Sequence, residues 1–155
     1  MRIAFAADHA GWPLRSRILS ELTQLGHDLV DCGSAECEPG DDYPDRSAAV
    51  ARAVLNGSAE RGVVVCGSGV GAAVAANKLR GIRACMCHDS FSARQGVEDD
   101  DMNVLCLGAR VIGEELAAEL LRDFVAARFS GKERHRRRLA KILALEQDPA
   151  GLPGV

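Results

Sequence analysis

Short β-branched or apolar runs alternate along the chain with longer segments of helical period, and a chain with that rhythm folds as βα units around a parallel sheet. The runs occupy residues 2–7, 27–31, 62–66, 82–87 and 103–107. Between them, 12–25 carries Leu14, Ile18, Leu22 and Leu25 at spacings of three and four, and 45–55 carries Ala48, Val50, Val54 and Leu55. Both read as amphipathic helices. The Ala-rich stretch 69–79 (GVGAAVAANKL) has no charge before Lys78, so its helix is expected close against the sheet; 113–129 is a further helix. The last helix, 133–145, sets Leu139, Ile142 and Leu143 on one side and its arginines elsewhere. The economical architecture is a single-domain α/β fold: a doubly wound, Rossmann-like, five-stranded parallel sheet flanked by helices, plus a C-terminal helix. Ligands are then expected outside the carboxyl ends of the strands.

With 155 residues and 47% hydrophobic content, the chain suits one domain over 1–147. The tail 148–155 (DPAGLPGV), with two Pro and two Gly, is expected to be flexible. No apolar run approaches the roughly 18 residues of a membrane span, and the N-terminus meets Asp8 after five consecutive apolar residues. The expectation is a cytoplasmic protein without a membrane partner. Six cysteines (32, 37, 66, 85, 87, 106) lack CxxC spacing and read as reduced thiols. A net charge of −3 argues against nucleic acid as a partner, although 132–138 (KERHRRR) is locally basic.

The unusual residues gather at the predicted carboxyl ends: Asp8-His9, then Cys66 with Gly67, Ser68 and Gly69, then His88-Asp89, then Gly108 to Arg110. Each has an ordinary structural explanation: Asp8 and Asp89 suit helix N-caps, His9 a loop contact, and Cys66 an inert core thiol. The turn CGSGVG (66–71) is richer. Glycines opening a helix aim backbone N–H groups at one point, which suits a phosphate or a developing oxyanion. As a dinucleotide fingerprint it is imperfect, with the third glycine one place early and the motif on the third strand. Asp89 nonetheless lies about 20 residues on, where a ribose-binding acid belongs, so a nucleotide- or phosphate-binding module stays open. The thiol favours proton transfer, because amide dipoles at a helix start promote the thiolate. Ser68 stands within reach of the sulfur or a substrate. Cys85 and Cys87 lack the second pair that a metal or redox site needs.

The segments AADHAG (6–11), DYPD (42–45), VVCGSGVG (64–71), AANKLRGIRA (75–84), MNVLCLGARVIG (102–113) and RHRRR (134–138) together resemble the type B ribose-5-phosphate isomerase family, which includes galactose-6-phosphate isomerase subunits. The likeness spans residues 1 to 147. It implies a metal-independent, cofactor-free aldose–ketose isomerase that works on a phosphorylated sugar through a cis-enediolate. It also implies a homodimer with sites between subunits, a tetramer being left open. By this similarity Cys66 is the base between C1 and C2, and the backbone of Gly67, Gly69, Val70 and Gly71 holds the enediolate oxygens. Relatives that lack the Cys use a Glu on the next helix, where this chain has Ala72. The resemblance further implies that Asp8 handles sugar hydroxyls and ring opening, Tyr43 lines the pocket, and His9, Arg110, Arg134 and Arg138 grip the phosphate. Arg134 and Arg138, four apart, share a helix face, and guanidinium forks suit phosphate.

One position departs from the pattern. The segment before NVL usually carries a His that helps open the furanose ring, and here VEDDDMNVL places Asp99 there, with the family's Asn read at Asn103. Either Asp99 substitutes with a shifted pKa, or Asp8 opens the ring alone, or the natural substrate is linear. A four-carbon sugar 4-phosphate has no hydroxyl free to close a furanose, which makes the third option chemically attractive.

Overall fold

A computed structural model describes residues 1–147; the expected tail, 148–155, lies outside the described residues. Five strands form one parallel sheet: β1 (Arg2–Ala7), β2 (Asp28–Asp31), β3 (Arg61–Cys66), β4 (Ala84–Met86) and β5 (Val104–Gly108), in the order β2-β1-β3-β5-β4. Six α-helices accompany them: α1 (Arg15–Gln24), α2 (Tyr43–Leu55), α3 (Val70–Ala76), α4 (Ser90–Asp100), α5 (Glu114–Ala126) and α6 (Glu133–Gln147). None is long and apolar enough to cross a membrane.

The period-two alternation of the central strands feeds two cores. Ile3, Phe5, Val63, Val65, Leu105 and Leu107 face α1, α4 and α5, where Ile18, Leu22, Leu120, Leu121 and Phe124 are buried. Ala4, Ala6, Val64, Cys66, Val104 and Cys106 face α2 and α3, meeting Val50, Ala51, Ala72 and Ala76. The second side is built of smaller side chains, so its helices lie nearer the sheet, as the Ala-rich composition of 69–79 anticipates. From β1 the chain winds outward to β2 and then returns to pair β3 on β1's other side. A crevice opens at such a switch point, at the carboxyl ends of β1 and β3.

Three elements differ from the expectation. A 3-10 turn over Trp12–Leu14, with Pro13 inside it, precedes α1, so the predicted 12–25 helix enters in two steps. The 82–87 strand shrinks to the three residues of β4, an edge strand whose Ala84 is bracketed by both ends of the Asn77 amide, at 2.8 Å each. Helix α4 is absent from the sequence reading, because SFSARQGVEDD buries only Ala93, Gly96 and Val97 and shows little periodicity. Its N-cap is Asp89, whose Oδ1 accepts the Ser92 N–H at 2.8 Å. Asp89 therefore has the structural role, which removes the ribose-binding acid from the dinucleotide alternative.

Candidate active site

Asp8 and His9 follow β1, Cys66 ends β3, and Arg110 follows β5, so one crevice receives all four. A cavity of about 360 Å³ lies there, lined by Asp8, His9, Ala10, Tyr43, Cys66, Gly67, Ser68, Gly71, Arg110 and Val111. Cys66 is 4% exposed, and that remnant opens onto the cavity. The backbone N–H of Gly69 points at its Sγ from 3.1 Å. This aim depends on Gly69 having φ +82°, a left-handed conformation that only glycine adopts freely. Gly71 is required for a different reason: a Cβ there would sit 2.7 Å from the Tyr43 ring, so its bareness lets the tyrosine close over the turn. Ser68 Oγ accepts the Val70 N–H at 3.4 Å, and the Arg110 N–H donates to Gly67 O at 3.0 Å, which ties the β5 loop to the turn. Asp8 is 4% exposed, with Oδ1 accepting from the Gly11 N–H at 2.7 Å. That bond holds the turn after β1 and aligns the carboxylate at the cavity wall.

His9 is anchored by a residue the sequence reading passed over. Asp41 Oδ1 accepts from both the backbone N–H of His9, at 2.8 Å, and its Nδ1, at 2.9 Å, while Asp41 Oδ2 takes Arg46 Nε at 2.9 Å. Burial alone would push the Asp41 carboxyl up; the bonds from His9 and Arg46 outweigh it and hold the group below the usual range. Conversely, the bond to Asp41 raises His9 above the ordinary imidazole value, against a smaller opposing effect of burial. Asp41 sits in DDYPD, where the adjoining Asp42 and Tyr43 drew the reading away from it; an acid close to DYPD was the available signal.

The turn residues Gly69 and Val70 shape the loop without lining the cavity, and four further candidates lie elsewhere in the chain. Asn103 precedes β5, at the opposite end of the strand from Arg110. Its amide accepts from the Arg83 N–H and donates to Gly81 O, 2.8 Å each, so within its own chain it braces the entry to β4. Asp99, at the end of α4, takes Gln95 Nε2 at 2.7 Å and lies 3.0 Å from Nδ1 of the buried His135. Arg134 Nε donates to His135 Nε2 at 2.7 Å, and since a guanidinium only donates, the His135 proton must sit on Nδ1, facing Asp99 and Ser130. Arg134 and Arg138 are exposed on α6. The end of β4 likewise contributes nothing to the cavity: His88 Nε2 accepts the Gly108 N–H at 3.1 Å, because β4 stands two places from β3. Ala72 is fully buried.

A parallel sheet with a thiol, a carboxylate, an imidazole and a guanidinium converging on a glycine turn at its switch point defines an α/β enzyme site for a small polar substrate. The family profile described as "Ribose/Galactose Isomerase" matches residues 3–142. The chain is 40% identical over 146 residues to the ribose-5-phosphate isomerase B of Escherichia coli, covering 94% of this chain and 97% of that one. It is 38% identical over 131 residues to the D-erythrulose-4-phosphate isomerase of Pectobacterium atrosepticum, covering 84% and 86% respectively. The structure of Clostridium thermocellum ribose-5-phosphate isomerase B superposes with a TM-score of 0.92 at 39% identity, covering 97% of this chain and all of that one. The chain belongs to the ribose/galactose isomerase family and is a sugar isomerase.

Proposed function

We propose that the protein interconverts an aldose phosphate and its ketose, without a metal, through a cis-enediolate with Cys66 as the base. The observation that carries this is the sulfur at the cavity wall with an amide N–H aimed at it from 3.1 Å. The Cys66 thiolate takes the proton from C2 of the open-chain aldose. The C–H electron pair becomes the C1–C2 double bond, and the carbonyl electrons move onto O1. Amides of the 67–71 turn hold that oxygen. The thiol then returns its proton to C1, whose new C–H bond takes the double-bond pair, while the O2 proton passes to O1 and the O2–H electrons close the C2 carbonyl, which leaves the ketose. Backbone donors placed at a developing oxyanion each contribute about 3 kcal/mol to such a step. Asp8 exchanges protons with the sugar hydroxyls, Tyr43 covers the chain of the sugar, and His9 and Arg110 receive the phosphate.

The active form is a homodimer with shared sites. Supporting this, Val70 and Val74 on α3, Met86 on β4 and Phe91 on α4 are exposed, Phe91 by 66%. Helix α6 buries only His135 and leaves Ile142 and Leu145 in the open. A second copy on this surface would bring Arg134 and Arg138 toward a neighbouring phosphate. The substrate is a C4 or C5 sugar phosphate, acted on in the cytoplasm; relatives named for both chain lengths match this chain closely.

The test is NMR in D2O on C4, C5 and C6 aldose and ketose phosphates. Turnover of one of them, with deuterium entering at C1 or C2, is expected in the wild type and lowered at least about a hundredfold in Cys66→Ala. Isomerisation at near wild-type rate after that substitution removes the thiol from the mechanism.

A further inference from the structure

The resemblance assigns His9 a phosphate contact but says nothing of what holds it. In this chain the imidazole is 41% exposed and its partner carboxylate only 9%, so a surface ring is held by a nearly buried acid. The clamp is itself braced. Arg46 Nη2 donates to Ser34 Oγ at 2.6 Å and to Glu38 Oε2 at 2.7 Å, and Ser34 Oγ donates to Glu38 Oε1 at 2.7 Å. The loop between β2 and α2 is thus bound into a network that ends on Nδ1 of His9. A carboxylate only accepts, so Nδ1 carries a proton, and Nε2 is the ring atom left for the cavity.

We propose that Asp41, braced by Arg46, is the positioning residue that makes His9 a doubly protonated ring with its Nε2–H directed at the substrate phosphate; this rests on the sugar-phosphate site proposed above. The other ionisable groups around the cavity are Asp8 from β1, Tyr43 from α2, Cys66 from β3 and Arg110 from the loop after β5. Asp8 works in the same direction as Asp41, favouring the charged ring. The sign follows: His9 stays protonated to higher pH than an ordinary histidine, phosphate affinity is full below its raised pKa, and affinity falls as pH climbs through that value.

Two readouts test this. In the free protein, the His9 Cε1–H resonance, assigned by its loss in His9→Asn, should titrate above 6.5 in the wild type and lower in Asp41→Asn. In assays with the turned-over sugar phosphate, Asp41→Asn should raise KM roughly tenfold at pH 7 and leave kcat within about twofold, the size expected for losing a charge-assisted bond. His9→Asn should do the same, and the double variant should be no worse than either single one, because the two residues act as a unit. A wild-type His9 that titrates at or below 6.5 overturns the proposal without any Asp41 variant having to fold. So do additive effects on KM, or a fall in kcat at unchanged KM, which would put His9 on the reacting carbons. Absence of isomerisation in the wild type instead overturns the sugar-phosphate reading, while the titration still reports on the pair.

Discussion

Among the buried cysteines, placement separates Cys66 from Cys87 and Cys106. Burial pushes Cys87 up to about 12, with Cys85 and Asp89 adding to it, and burial likewise drives Cys106 upward. Neither thiol ionises at neutral pH. Cys66 alternates onto the same sheet face as Cys106, yet it ends its strand, so its sulfur meets the cavity instead of α2 and α3 alone. Cys66→Ala should lower kcat/KM by about 10²–10⁴, the usual worth of a positioned base, while circular dichroism and the melting temperature stay near wild type. Asp99 shows the opposite lesson. The family pattern marked the position as functional, and within the chain its carboxylate joins α4 to α6 through His135. Asp99→Ala should cost about 1 kcal/mol of stability, read by urea unfolding, since the pair is largely shielded from solvent.

The Cys66–Gly71 turn is the element on which the proposed chemistry rests, and its glycines were readable from the sequence while their separate duties were not. Gly69 supplies a backbone angle and Gly71 supplies room for Tyr43. Gly69→Ala forces a left-handed alanine whose Cβ would approach Met86 Cγ to 2.9 Å. The backbone penalty is about 1–2 kcal/mol, and calorimetry should show the melting temperature falling by several degrees. The turn must also rotate its amide away from the sulfur, so kcat should drop at least tenfold. Helix α4 went unread because its helical signal is carried by the Asp89 cap and by Met102 packing on Gly96, not by an apolar stripe. Asp89 suited an N-cap from the sequence, but one cap without an apolar stripe behind it does not declare a helix.

For the whole molecule, the exposed apolar side chains on α3, β4, α4 and α6 carry the prediction. Val74→Glu together with Phe91→Glu should shift sedimentation from twice the chain mass to the chain mass and lower activity in parallel; a fully active monomer would refute shared sites. Of the cavity's ten lining residues, strand-end placement and the glycine turn pointed to seven, and the family resemblance added Tyr43. The fold class and the two-sided core were legible in the sequence, since strand alternation and helical period are local properties. Strand order, the contraction of β4 and the bond between Asp41 and His9 were not. They join residues far apart along the chain, 32 positions in the case of His9 and Asp41, and such neighbours exist only once the sheet has chosen its switch point. Residue chemistry was therefore set locally, and the choice of which groups work together was made by the packing of β1 beside β3.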